Sequence, residues 1–388
     1  MNRFPALRGN KAWVFLFFLW FLWFLSFTSR AIFAPLLPLI EDEFAIRHAT
    51  ASSIFAYISV GYSLSLFLSG LWGGWVGYKK AITVSMLLTS AVFGMIPWVG
   101  SFSTLRSLSF IVGLAAGIYL PSILPLITAY YAEKDWGRAI VIHDSGAPFS
   151  IFAAPLICLF LLPFVSWRGI LALLGGIMFA GGVLFYFSGP EVKRPQGAQG
   201  RFRDLLRRKS LWIIGAIWIF ASGCNLGLYF IFPLYLTKEL SMDGDTANTI
   251  FSISRLGGIA VVLTAGYFID RFSLKKGIFW VLLLTGLLTM ALATRQVGWM
   301  RILLFLQASI AIGFFPLTFV LISRIFEAER RGEATGFIVT MGVIVGIGLM
   351  PYLLGLCGDY LSFRLGIVLL GILTALSSSL LYLLPGPK

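Results

Sequence analysis

Histidine and cysteine are nearly missing from this chain: 388 residues contain two of the first and three of the second. Cys158, Cys224 and Cys357 each lie inside an apolar run, which argues against a disulfide framework or a zinc site. Two histidines cannot build a metal-spaced cluster, and there is no P-loop, no kinase-like loop and no soluble segment to hydrolyse ATP. These absences point away from an enzyme and from any resident metal or cofactor. Charge is also scarce, at 12% of residues against roughly 25% in a soluble domain. Acids are the scarcer sign, with 16 Asp and Glu against 30 Lys and Arg and a net charge of +14. A basic total can signal nucleic acid, but no folded domain is present to display a basic patch, so no nucleic-acid partner is expected.

What remains is apolar. At 59% hydrophobic residues, the surface of the chain suits lipid, not water. A membrane span needs about 20 mostly apolar residues. Twelve such runs follow one another, at about 12–40, 50–76, 81–99, 104–131, 139–163, 168–188, 211–237, 246–269, 277–295, 299–325, 333–357 and 364–384. The first follows Arg3, Arg8 and Lys11 as a signal peptide would, but it is too long and no small-residue cleavage site closes it. It reads as a span that stays in place. The one long polar stretch, GPEVKRPQGAQGRFRDLLRRKS at 189–210, divides the chain six plus six.

The two halves repeat. GLWGGWVGYKK begins at Gly70 and GYFIDRFSLKK at Gly266, an offset of 196 residues. SWR ends at Arg168 and SFR at Arg364, again 196, and WGRA and RGEA match through Gly137 and Gly332 at 195. A repeat with an even number of spans enters the membrane twice from the same side, which relates the halves by an axis along the membrane normal. The expected domains are therefore a six-helix half at 1–188, a cytoplasmic linker at 189–210 and a second six-helix half at 211–388. Of the 30 basic residues, 21 fall in one set of loops and 7 in the opposite set. Positive residues favour the cytoplasmic side, so both termini and the linker are expected there.

With these loops in place the chain resembles the major facilitator superfamily of secondary transporters, which carries a G-x-x-x-D-R-x-G-[RK]-[RK] loop after its second and eighth spans. The resemblance covers the whole chain. It implies an all-α membrane protein, with twelve transmembrane helices in two six-helix pseudo-repeats around a central cavity, working as a monomer in the bacterial inner membrane. The second loop keeps Asp270 and Arg271, with Ser273 in place of a glycine; the first keeps Gly70, Gly77, Lys79 and Lys80 but has Gly74 where the family has aspartate. In the family these loops gate the cytoplasmic face, so Gly70, Gly77, Lys79, Asp270 and Arg271 are the candidate gating residues. SRAIFAPLLPLIEDEF from Ser29 resembles the first span of anion:cation symporters and organophosphate antiporters. SISRLGGIAVVLTAGYFIDR from Ser252 resembles the eighth span of monocarboxylate and oxalate transporters, which bind substrate through an arginine there.

Two arginines sit deep in spans. Arg30 lies 11 residues before Glu41, or ~16 Å from that surface. Arg255 lies 10 residues after Asp245 and 15 before Asp270, or ~15 and ~22 Å from the two faces. Neither has an arginine at its repeat-related position, which is Asn225 or Leu226 for Arg30 and Ser59 for Arg255. The scaffold alone does not require them. A guanidinium fork matches a carboxylate and stays charged, so the pair is expected to grip an anion between the halves; the bland alternative is an arginine held by backbone carbonyls as packing. Asp144 is the carboxylate placed clearly inside a span, with His143 beside it; either could carry a proton, although adjacent residues point about 100° apart. Asn225, Tyr229 and Tyr119 are further candidates for substrate contact, on spans that border the cavity in this fold. The expected function is secondary active transport of a small organic anion, a mono- or dicarboxylate, by alternating access with proton symport or anion exchange. A proton-driven drug or metabolite exporter is the alternative, and a receptor on a transporter scaffold would need a cytoplasmic domain that is not seen. The partners expected are the anion, protons or a counter-anion, and membrane lipid.

Overall fold

Long apolar runs in lipid must satisfy their backbone groups internally, and helices do this within one segment. The computed structural model of the chain describes residues 10–75, 77–192, 202–261, 273–294, 296–327 and 330–384, with backbone alone at 10, 69–75, 202 and 203. Among the described residues there is no strand, and eleven helical segments are long and apolar enough to cross a membrane. The expected span at 246–269 begins with the helix Gly244–Ile253 and continues as helix at 256–261; its remainder lies outside the described residues.

The segments that position the site are α1 (Asn10–Ala31), α2 (Phe33–Phe44), α3 (His48–Trp75), α4 (Tyr78–Met95), α5 (Phe102–Tyr130), α6 (Trp136–Asp144), α7 (Gly146–Leu161), α8 (Trp167–Ser188), α9 (Phe202–Leu205), α10 (Lys209–Ser222), α11 (Leu228–Leu234), α12 (Gly244–Ile253) and α13 (Leu274–Ala291). They are followed by α14 (Val297–Ile312), α15 (Phe314–Ile325), α16 (Arg331–Met341), α17 (Met350–Tyr360) and α18 (Phe363–Ser377). Several pairs are one span interrupted. α1 and α2 meet at Ile32, next to Pro35; α6 and α7 meet at Ser145, next to Pro148. A proline lacks its N–H and crowds the carbonyl four residues back, here Ala31 and Asp144. α12 stops at Ser254 and Arg255, before Gly257 and Gly258, and the Ser254 hydroxyl donates to the Phe251 carbonyl at 2.6 Å. Serine and paired glycines are recognised causes of such breaks.

The described residues fall into two compact units, one drawn from Met1–Phe33 with Tyr57–Gly197, the other from Ala34–Ala56 with Ala198–Lys388. In the first, a buried core forms where Leu16, Leu19 and Leu22 of α1 meet Tyr119, Ile123 and Leu126 of α5 and Phe185 of α8. α3 and α5 approach through glycine. A Cβ on Gly113 would lie 2.0 Å from the Ile58 carbonyl oxygen, and one on Gly61 2.2 Å from that of Phe110. Small residues permit such contact in the absence of a hydrophobic driving force between helices.

The second unit has its own core, where Ile214 and Trp218 of α10, Ile278 and Leu282 of α13, Phe314 of α15 and Ile338 of α16 pack together. Segment Ala34–Ala56 belongs to it. There the Asp359 carboxylate accepts from the backbone N–H of His48 at 2.9 Å and of Ala49 at 3.0 Å. These are first-turn donors of α3, which no intrahelical carbonyl can reach. The bend before α3 carries Ala45 at φ 48. Glu41 contacts His48 Nδ1 at 2.8 Å, Lys238 pairs with Asp42, and Phe55 stacks on Phe230 at 4.2 Å between centroids. Glu239 caps a second helix start, accepting from the Phe363 N–H and from Arg364 Nε.

Candidate functional site

A guanidinium inside an apolar span needs its faces and its N–H edges accounted for separately. In the first unit Arg30 sits two residues before the α1–α2 break. Its Cζ lies 4.5 Å from the centroid of Phe27, one turn earlier, and 4.5 Å from that of Tyr62 on α3. The Nε and Nη2 atoms are buried and have no hydrogen-bond partner among the described residues. In the second unit Arg255 is 7% exposed and sits in the break after α12. Its Cζ lies 4.9 Å from the Tyr229 centroid and 5.1 Å from that of Phe251, one turn earlier. Tyr229 and Phe251 stack at 4.6 Å. Again it is Nε and Nη2 that lack a partner among the described residues.

The two arrangements match in kind. Each arginine lays its faces on two rings, an attraction of about 0.5–2 kcal/mol per ring. Each keeps the Nε–Nη2 edge, the side of the fork that meets both oxygens of a carboxylate. An unsatisfied buried donor costs roughly 1–3 kcal/mol and more if charged, so an acceptor placed on that edge recovers a large penalty. The pairs are also related through the repeat with roles exchanged. Tyr229 stands 199 residues after Arg30 and Arg255 193 after Tyr62, each within one turn of the 196-residue offset. An arginine and a tyrosine thus occupy adjacent helices in both units, with arginine on the earlier helix in the first and on the later in the second.

Asp144 ends α6 at the Pro148 break and is exposed at the surface of the first unit. His143 points the other way. It is fully buried, stacked on Trp23 at 5.7 Å, with Nε2 3.4 Å from the Tyr119 hydroxyl. Tyr119 is itself fully buried, stacks on Trp23 at 5.4 Å and donates to the Leu19 carbonyl. Ser145 at the break accepts from Trp20 Nε1 at 3.0 Å.

Asn225 is buried in a π-helical turn, Gly223–Gly227, between α10 and α11. Such turns free a carbonyl and recur at functional sites. The Cys224 carbonyl there accepts from Gln307 Nε2 at 2.8 Å, while Gln307 Oε1 is buried without a partner among the described residues. Nothing in the sequence singles out Gln307, Tyr62, Phe27 or Phe251. The spacings Phe27–Arg30 and Phe251–Arg255 were visible, but 36 phenylalanines dilute any such signal. Of the candidate gating residues, Gly70 falls inside α3. Gly77 precedes α4 at φ 78, which suits glycine, and Lys79 Nζ lies 5.6 Å from the Tyr186 ring centroid. Asp270 and Arg271 lie outside the described residues. Among those described, no group of three His, Cys, Asp or Glu side chains could hold a metal ion.

Known proteins place this geometry in a family. Over 322 residues the chain is 25% identical to a Bacillus subtilis (strain 168) transporter named for niacin and nicotinamide, covering 79% of this chain and 78% of that protein. It is 21% identical over 255 residues to the hexuronate transporter of the same organism, covering 62% and 60%. Among solved structures it superposes on a bacterial homolog of the human lysosomal transporter Spinster with a TM-score of 0.78 at 14% identity, covering 97% of each chain. It superposes on the nucleoside transporter NupG, solved as a point mutant, with a TM-score of 0.80 at 16% identity, covering 95% of this chain and 99% of the other. The sequence profile of the Major Facilitator Superfamily matches residues 19–240 and 227–388. Matched over nearly its whole length, and folded like solved transporters, this chain belongs to the Major Facilitator Superfamily, a family of membrane transporters and not of enzymes.

Proposed function

We propose that the chain carries a small organic carboxylate, mono- or dicarboxylate, across the bacterial inner membrane by alternating access. The observation that carries this reading is the pair of buried Nε–Nη2 edges on Arg30 and Arg255, which have no partner among the described residues. A carboxylate supplies two acceptor oxygens at the spacing of that edge and a full negative charge. A lipophilic cation supplies neither and would be repelled. The names of two relatives support the class, since hexuronate and sulfoacetate are carboxylates, and a third is named for niacin, a carboxylate, together with its amide nicotinamide. Asn225 and Tyr229 contribute substrate contacts beside the arginine of the second unit, and Asp144 carries the coupling proton in symport. Both termini face the cytoplasm, following the 21-to-7 bias of Lys and Arg, and the chain works as a monomer.

Counterflow in proteoliposomes against a panel of carboxylates, with amide and alcohol analogues of the same shapes, tests the reading. Carboxylates should exchange and their neutral analogues should not. Equal exchange of a carboxylate and its amide would overturn it, as would retention of carboxylate exchange in Arg30→Gln together with Arg255→Gln.

A further inference from the structure

The second unit carries a cavity that the transport reading does not use. It has a volume of about 370 Å³ and is lined by Lys275, Lys276, Phe279, Trp280, Leu381 and Tyr382. One end is cationic. Lys275 and Lys276 open α13, a helix of 18 residues whose first turn has no acidic side chain and whose N-cap, Ser273, makes no side-chain capping bond. The helix dipole adds to the two ammonium charges. Lys275 Nζ donates to the Leu384 carbonyl at 2.7 Å, which fixes the end of the last span against the start of α13. Lys276 is exposed and forms no ion pair or side-chain hydrogen bond among the described residues.

The other end is aromatic and faces outward. The Phe279 ring packs against Trp280 at 5.7 Å and Tyr382 at 5.8 Å between centroids. Trp280 is 56% and Tyr382 77% exposed. Both belong to segments apolar enough to cross a membrane, so these exposed faces meet lipid. A positive rim above an aromatic, lipid-facing wall fits a ligand that is anionic at one end and hydrocarbon at the other.

We propose that this cavity binds an anionic phospholipid, its phosphodiester between Lys276 and the N-terminus of α13 and its acyl chains along Trp280, Leu381 and Tyr382. A free phosphate would satisfy the rim but leave the wall uncovered. A zwitterionic headgroup would bring its own cation against Lys276.

Native mass spectrometry of the detergent-solubilised chain tests this with three probes: phosphatidylglycerol, phosphatidylcholine and inorganic phosphate. Phosphatidylglycerol should be retained several-fold more tightly than phosphatidylcholine, and inorganic phosphate should not displace it. Lys276→Gln should weaken phosphatidylglycerol about five-fold, the effect of one basic residue near a membrane surface. Lys276→Arg should restore it, which separates lost charge from misfolding, and Arg301→Gln, away from the cavity, should leave it unchanged. Equal retention of both lipids, displacement by inorganic phosphate, or no effect of Lys276→Gln would each overturn the proposal.

Discussion

Arg30 and Arg255 are each held by rings on the guanidinium faces, and this fixes what lysine can replace. A lysine at either place keeps a positive charge and a cation–π contact but loses the two-hydrogen edge. Charged hydrogen bonds contribute about 1.5–3 kcal/mol, so Arg255→Lys and Arg30→Lys should each reduce carboxylate uptake efficiency roughly 10- to 100-fold. Arg255→Ala should be only modestly worse than Arg255→Lys. Initial-rate uptake in vesicles checks this, and near-normal uptake in the lysine variants would show that a point charge suffices. Truncating a ring tests the clamp: Tyr62→Leu should weaken substrate binding without removing it, because the fork survives while its orientation loosens. Both arginines were legible in the sequence because a charge at mid-span has few innocent explanations. Tyr62 was not, because it stands 32 residues from Arg30 in a chain with 13 tyrosines and only the α1–α3 packing brings the two together.

At the scale of elements, the breaks matter more than the helices. Arg30, Asp144 and Arg255 each stand within two residues of a helix interruption. Two of those interruptions were foreshadowed by Pro35 and Pro148, whereas the one at Arg255 has no proline and was hidden. The cap on α3 was invisible for a different reason: Asp359 lies 311 residues from His48, and nothing in either local sequence announces the pairing. It should nonetheless be energetically prominent, since a carboxylate on a helix N-terminus combines charged hydrogen bonds with the dipole. Asp359→Asn should raise amide exchange at His48 and Ala49 about 10-fold or more, read by hydrogen–deuterium exchange; unchanged protection would mean that Phe55 on Phe230 and Gly355 against Ala49 hold the segment unaided. In the first unit, Gly113→Ala drives a methyl into the Ile58 carbonyl, and overpacking of this kind costs about 1–3 kcal/mol. Thermal unfolding in detergent should show a lowered midpoint, while the same change at Gly94, where a Cβ would meet nothing within 4 Å, should not.

For the whole molecule the decisive quantity is net charge moved per cycle. A monovalent anion entering against the membrane potential costs about 2.3 kcal/mol per 100 mV. One proton travelling with it cancels that cost, and the proposed carrier is Asp144, the exposed carboxylate that ends α6. Asp144→Asn should abolish uptake driven by a pH gradient while leaving carboxylate exchange largely intact, since exchange moves no net proton. Equal loss of both activities in the same vesicles would make Asp144 structural. The scarcity of cysteine noted at the outset has a practical sequel. Cys158 and Cys224 are fully buried, while Cys357 is partly exposed and only two residues from the carboxylate that caps α3. The natural chain therefore comes with one addressable thiol, placed where the segment Ala34–Ala56 is fastened. A fluorophore or spin label there becomes a built-in reporter of that fastening during turnover, with no engineered cysteine-free background needed to read it.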